Sequence, residues 1–200
     1  MPADRPVFYY DLASPYAWLA AERVSHVLAV PPIWQPVLAS ELPASASASA
    51  RALGPREREL VERRAAALGL QAVRWPPAGP LDSRTAMLAA TFAQQAGRVV
   101  AFSLAAFRQA FAAGRDLSVA DNVLIAAAAC ELHPRAVLKG IESRSVRERL
   151  SVATEEAATR GVRVVPAVRI GARLFEGEQR VEDAARAAVE GQACADQPLE

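Results

Sequence analysis

The spacing of apolar positions changes several times along the 200-residue chain, and the changes delimit its elements. Residues 5–10 end in Val7-Phe8-Tyr9-Tyr10, an apolar run of aromatic and β-branched side chains that predicts a short buried strand. Over 14–29 the period lengthens, with Ala17, Leu19, Ala20, Ala21, Val24 and Leu28 at helical spacing. Ser14 stands at the N-cap of this predicted helix and Pro15 at its first position, where a missing N–H costs nothing. Pro31-Pro32 breaks the helix, and 33–38 read as a second strand. Pro36 cannot donate to a ladder, so it belongs at a sheet edge or at the strand's end. A strand–helix–strand opening with a connection of this length predicts parallel pairing.

Residues 44–50 alternate alanine and serine, offer nothing to a core, and read as a surface loop. An amphipathic helix rich in Arg and Glu follows over 55–70, and 73–77 should be extended because residues before proline avoid the helical region. The stretch 82–160 reads as entirely helical. Its first helix is capped by Asp82 or Ser83 and closes near Gly97; the next presents Phe102, Leu104, Phe107 and Phe111. Ser118-Val119-Ala120-Asp121 has the form of a capping box for a third helix, running through Leu132. His133-Pro134 marks a break, a short helix reaches about Gly140, and a longer one spans 143–160 with Gly161 at its C′ position. Strands return at 163–170 and 173–175, and a last helix covers 181–189 with Gly191 just beyond. The order is β-α-β, a helical block, then β-β-α: an α/β fold with a helical insertion and no internal repeat.

Composition narrows the function classes. Net charge is +1 with acids and bases interleaved, which leaves no basic face of the kind a nucleic-acid binder carries. The apolar run Ile125–Cys130 is far shorter than the roughly 20 residues of a membrane span. Asp4, Arg5 and Pro6 precede the first strand with no signal-peptide core, so the expected compartment is the cytoplasm. Cys130 and Cys194 are far apart and form no C-x-x-C; Cys130 is expected as a small buried hydrophobe and Cys194 in a polar tail over 192–200. His133 has no partner at ligand spacing, so no metal site is expected.

Two distant stretches carry most of the remaining information. Asp11, Ser14-Pro15-Tyr16 and Trp18-Leu19-Ala20, taken with Gly161, Val165-Pro166 and the closing Leu174–Arg180, resemble the DsbA-like branch of the thioredoxin superfamily. Within it they are most similar to 2-hydroxychromene-2-carboxylate isomerases and kappa-class glutathione transferases. The resemblance runs from about Val7 to Val189. It implies a thioredoxin-like fold with a helical insertion: residues 5–40 and 161–191 form the thioredoxin-like part and 55–160 the insertion. Ser14-Pro15-Tyr16-Ala17 occupies the place of C-x-x-C in redox-active relatives. With both sulfur positions replaced, dithiol exchange has neither attacking nor resolving thiolate.

The resemblance implies a glutathione-dependent isomerase in which Ser14 stabilises the glutathione thiolate. It also implies a cis Val165-Pro166 bond, Val165 and Pro166 against the cysteinyl backbone, and Glu178 and Gln179 near the γ-glutamyl end. Tyr10, Tyr16 and Arg84 are candidates for the pocket of a small aromatic or electrophilic substrate, and Trp18 is expected in the core. Gln179 stands where the family pattern has an aspartate, and 38–55 holds neither Asn nor Lys, so another low-molecular-weight thiol remains open. The alternatives are a kappa-like transferase and a non-catalytic thioredoxin-fold binding module. A homodimer is a further expectation by resemblance.

Overall fold

The structure is a computed structural model that describes residues 5–43, 53–77 and 82–195. Its centre is a four-stranded sheet of β1 (Val7–Tyr10), β2 (Ile33–Pro36), β3 (Ala167–Ile170) and β4 (Arg173–Glu176), in the order β2-β1-β3-β4. β1 runs parallel to β2, with Val7 opposite Ile33 and Tyr10 opposite Pro36. It runs antiparallel to β3, with Phe8 opposite Val168 and Tyr9 opposite Ala167. β4 closes the sheet antiparallel to β3. Pro36 ends an edge strand, where its missing donor interrupts no ladder.

Both faces of β1 are covered, which is why its run is apolar throughout instead of alternating. Phe8 and Tyr10 point into the main core, where they meet Trp34, Phe107, Met87 and α1 (Pro15–Val27). Val7 and Tyr9 point the other way, into a smaller cluster with Val37, Leu42, Ala157 and Val162. The alternation is that of any strand; the two covering layers make both halves of it apolar.

Helices α2 (Pro55–Ala67), α3 (Arg84–Gln95), α4 (Val99–Phe111), α5 (Ala120–Ala128), α6 (Pro134–Glu142) and α7 (Arg144–Thr159) separate the two halves of the sheet in sequence. The main core runs without a break from β1 and α1 into α3, α4 and α7. Its aromatic spine stacks Trp18 on Phe111 at 5.7 Å, with Trp75 edge-on to Phe111 at 6.2 Å. α8 (Val181–Ala195) returns to the sheet, after a 3-10 turn at Glu178–Arg180.

Several boundaries differ from the sequence reading, each for a local reason. β3 starts at Ala167, not 163, because the Arg163 and Val164 N–H groups donate to the Glu176 carboxylate at 2.6 and 3.0 Å instead of joining a ladder. The capping box at 118–121 does not form: α5 has Val119 as N-cap, and the Ser118 N–H is taken by Asp116 Oδ1 at 2.8 Å. α5 also stops at Ala128, and the chain turns at Glu131 with φ 61°. α8 continues through Gly191, a position whose glycine penalty of about 1 kcal/mol a packed helix tolerates. The expected tail therefore begins inside α8; residues 196–200 and the alanine–serine tract at 44–50 lie outside the described residues. Among the described residues no helix is long and apolar enough to cross a membrane.

Candidate functional site

Three segments meet at one end of the sheet. β1 delivers the chain to a tight turn in which the Ser14 N–H donates to the Asp11 carbonyl at 3.0 Å, and α1 begins at Pro15. Ser14 is the N-cap: its Oγ accepts the Ala17 N–H at 3.2 Å. Among the described residues the Ser14 hydroxyl proton has no acceptor, and the side chain is partly exposed. No acidic residue lies in the first turn of α1, so the positive end of the helix dipole is not neutralised from within the helix. Ala17 is wholly buried.

The second segment is the approach to β3. Extending the β1–β3 register by two residues sets Pro166 beside Tyr10 and Val165 beside Asp11, at the sheet end that carries Ser14. The Val165–Pro166 bond is cis. Glu176 holds the N–H groups of Arg163 and Val164, and the Gly177 N–H donates to the Pro166 carbonyl at 2.8 Å. Between these anchors, Val165 keeps its own N–H and C=O without a backbone partner among the described residues. Such an edge accepts an extended ligand as an added strand.

Glu178 and Gln179 form the third segment, and they are occupied. Glu178 is buried, with 6% of its side chain exposed, and takes Arg23 of α1 and Arg64 of α2 on its two carboxylate oxygens. Arg23 also reaches the Glu178 carbonyl and Glu182, while Gln179 sets its amide oxygen toward Arg64 in the orientation that satisfies both groups. Two guanidinium groups therefore saturate the one carboxylate of this turn.

A shallow recess of about 10 Å³ lies beside the Ser14 turn. Leu12, Ala13, Pro76, Ala110 and Leu117 give it an apolar lining, and Asp82, Ser83, Arg115 and Asp116 supply its polar groups. Of the three residues expected to face substrate, Tyr10 does not: it is fully buried, its ring packs on Phe8, Trp34 and Phe107, and its hydroxyl bonds Ser103 at 2.6 Å. Burial raises its pKa, so it stays protonated. An aromatic at the end of an all-apolar strand reads equally well as core or pocket in sequence, and here the two covering layers decide. Tyr16 is half-buried against the main core, and Arg84 is exposed with an ion pair to Glu41 at 2.7 Å. Trp18 is core, as expected.

Asp11 is part of the family resemblance, yet the sequence assigns it no site role. Its carboxylate is buried, with Oδ1 accepting the Ala13 N–H and Oδ2 the Ala39 N–H, both at 2.8 Å. Among the described residues it has no cation. Burial raises its pKa above the usual carboxylate value, against the pull of the two backbone hydrogen bonds. The Ala13 contact is a local Asx turn that the sequence could have shown. The contact to Ala39 is tertiary and left no trace in it.

The profile of the DsbA-like thioredoxin domain matches residues 7–188. The chain belongs to the DsbA-like thioredoxin family. Solved structures agree on the fold. A 2-hydroxychromene-2-carboxylate isomerase superposes with a TM-score of 0.79 at 16% identity, over 97% of this chain and 100% of the other. A probable DsbA oxidoreductase from Streptomyces coelicolor gives 0.78 at 19% identity, over 98% and 92%. The cytosolic disulfide reductase DsbM from Pseudomonas aeruginosa, solved with GSH, gives 0.66 at 14%, over 96% and 100%. At these identities the likeness is one of fold. No curated protein matches the chain in sequence. The first helix of this chain opens with Ser14-Pro15-Tyr16-Ala17 and no cysteine.

Proposed function

We propose that this DsbA-like protein is a thiol-dependent isomerase, working with glutathione or another low-molecular-weight thiol on a small aromatic or electrophilic substrate in the cytoplasm. The observation that carries the reading is the Ser14 hydroxyl, which accepts from Ala17 and has its own proton left to donate at a helix N-terminus. When bound, the thiol would supply a sulfur that adds reversibly to a conjugated double bond and so permits rotation about it. Ser14 would donate its O–H to that sulfur, and the N-terminal end of α1 would favour its anionic form, the same physics that lowers the pKa of cysteines at helix N-termini. Val165 would pair its N–H and C=O with the thiol's backbone beside Pro166, and the substrate would approach from the side of Tyr16 and Arg84. The isomerase among the structural neighbours and the GSH in the DsbM structure support this reading. A kappa-like transferase would use the same thiol site.

The fit is good at the sulfur end and poorer at the other. Glu178 and Gln179 would meet a γ-glutamyl group only alongside Arg64, because two arginines already hold the Glu178 carboxylate. That clasp favours a second reading, a non-catalytic module that takes an extended peptide along Val165. Calorimetric titration of glutathione into the wild type and Ser14→Ala, in reducing buffer, separates the two. Binding that weakens about tenfold in the variant, the effect of one hydrogen bond to a charged group, supports the enzyme. No heat from millimolar glutathione in either protein removes glutathione from the reading.

A further inference from the structure

Glu176 ends β4 and spends its carboxylate on the backbone of another segment. One oxygen, Oε1, accepts the N–H groups of Arg163 at 2.6 Å and Val164 at 3.0 Å, the two residues before Val165. Hydrogen bonds to an ionised acceptor are stronger than neutral ones, so these two donors are firmly held. The chain is committed on the other side of Val165 as well. Pro166 has no N–H, and its carbonyl accepts the Gly177 N–H at 2.8 Å. Ala167 lies inside the sheet, between Tyr9 of β1 and Glu176 of β4. An added antiparallel strand bonds alternate residues of the edge it joins, each through its own N–H and C=O. Counted from Val165, those residues are Arg163 and Ala167. The first has its N–H on Glu176 and the second already has a neighbour on each side. Among the described residues, this edge therefore opens at Val165 and closes two residues away in either direction.

We propose that Glu176 is a positioning residue that sets the length of ligand the Val165 edge accepts. It leaves backbone partners for one ligand residue, so the ligand is a short peptide-like molecule, the size of a tripeptide thiol, and not a polypeptide strand. A longer strand would have to take the Arg163 N–H from a carboxylate that already holds it, or leave its own second carbonyl without a donor. Specificity here comes from what the edge withholds. An alkyl side chain in place of the carboxylate would free both N–H groups and offer the Arg163 pair to a second ligand residue. The inference rests on taking Val165 as the ligand edge, which both functional readings share, and it favours the small thiol over the extended peptide.

The test compares ligand lengths. The probes are two capped peptides with a central cysteine, acetyl-Ala-Cys-Ala-amide and acetyl-Thr-Thr-Ala-Cys-Ala-Thr-Thr-amide. Each is titrated in reducing buffer into the wild type, Glu176→Leu and Glu176→Gln, with affinities and contact sites read from amide NMR shifts. The wild type should bind the two within about twofold, because the longer peptide gains no second backbone pair, and should move the Val165 amide and not that of Arg163. Glu176→Leu should prefer the longer peptide about tenfold, the worth of that second pair, and should move the Arg163 amide too. Glu176→Gln keeps an acceptor oxygen and should behave as the wild type, whereas a merely structural role would weaken both peptides together. A wild type that prefers the longer peptide about tenfold, a folded Glu176→Leu with no preference, or no shift at Val165 with either peptide overturns the proposal. If Glu176→Leu does not fold, the wild-type comparison decides alone. Glutathione that fails to bind while the short peptide still moves Val165 removes the glutathione reading and leaves this inference standing.

Discussion

Glu178 offers the sharpest prediction for stability. The substitution is Glu178→Gln, which keeps volume and removes charge. In the wild type the carboxylate is buried and pairs with Arg23 and Arg64, whose side chains are 19% and 25% exposed. Removing one partner of a buried ion pair costs about 3–5 kcal/mol, because the charge left behind is desolvated and unmatched. Three features lower that figure here: both arginines keep some water, Arg23 keeps Glu182, and the new amide oxygen still accepts one hydrogen bond. A loss of about 2–3 kcal/mol remains, or roughly 5–10 °C in midpoint for a chain of this length. Urea denaturation of wild type, Glu178→Gln, Arg64→Met and the double variant measures it. If the clasp is the cause, the second substitution should recover part of the loss, because it removes the orphaned charge, with a coupling of about 1–2 kcal/mol. Additive losses, or a Glu178→Gln cost below about 1 kcal/mol, would refute the reasoning. The result also bears on function: a Glu178 that is dispensable for stability would be available to a ligand ammonium.

Two further predictions follow from the same end of the sheet. Asp11 has a folded pKa raised by burial, so its neutral form is the one the fold prefers. The stability it contributes is fully present below the unfolded carboxylate pKa of about 4 and is lost as pH rises from there through the raised folded value. The stability of the wild type relative to Asp11→Asn, measured by urea denaturation across that range, should therefore fall with rising pH; a relative stability that rises contradicts the assignment. Gly177 adopts φ 96° and ψ 151° with nothing within 4 Å of a built Cβ, so Gly177→Ala should cost about 1–2 kcal/mol from backbone conformation alone. Unchanged stability in that variant would mean that the turn relaxes at no cost.

The parts of the fold that depend on local chemistry could be read in the sequence. Ser14-Pro15 starts α1, His133-Pro134 starts α6 with His133 Nδ1 accepting the Arg135 N–H, and Gly161 closes α7 at φ 91°. The parts that depend on distant partners could not. Glu176 shortens β3 from 13 residues away, Asp116 displaces the expected cap at Ser118, and the covering layers turn Tyr10 from pocket into core. The site divides along the same line. The Ser14 cap is local, whereas the Glu178 clasp joins residues 114 and 155 positions apart, and Asp11 meets Ala39 across 28. Periodicity carries no record of such meetings.

The placing of β1 beside β3 has a consequence for how the chain comes off the ribosome. β1 is an inner strand, and its antiparallel neighbour begins only at Ala167. Until that residue emerges, one edge of β1 has no backbone partner, and Arg23 and Arg64 wait for Glu178. The helices of 84–159 can form locally in the meantime, but they are built to cover a sheet that does not yet exist. Nascent chains arrested before Ala167 emerges should therefore expose sticky surface and depend on chaperones, and release of the β3–α8 segment should be the event that commits the molecule to its native state.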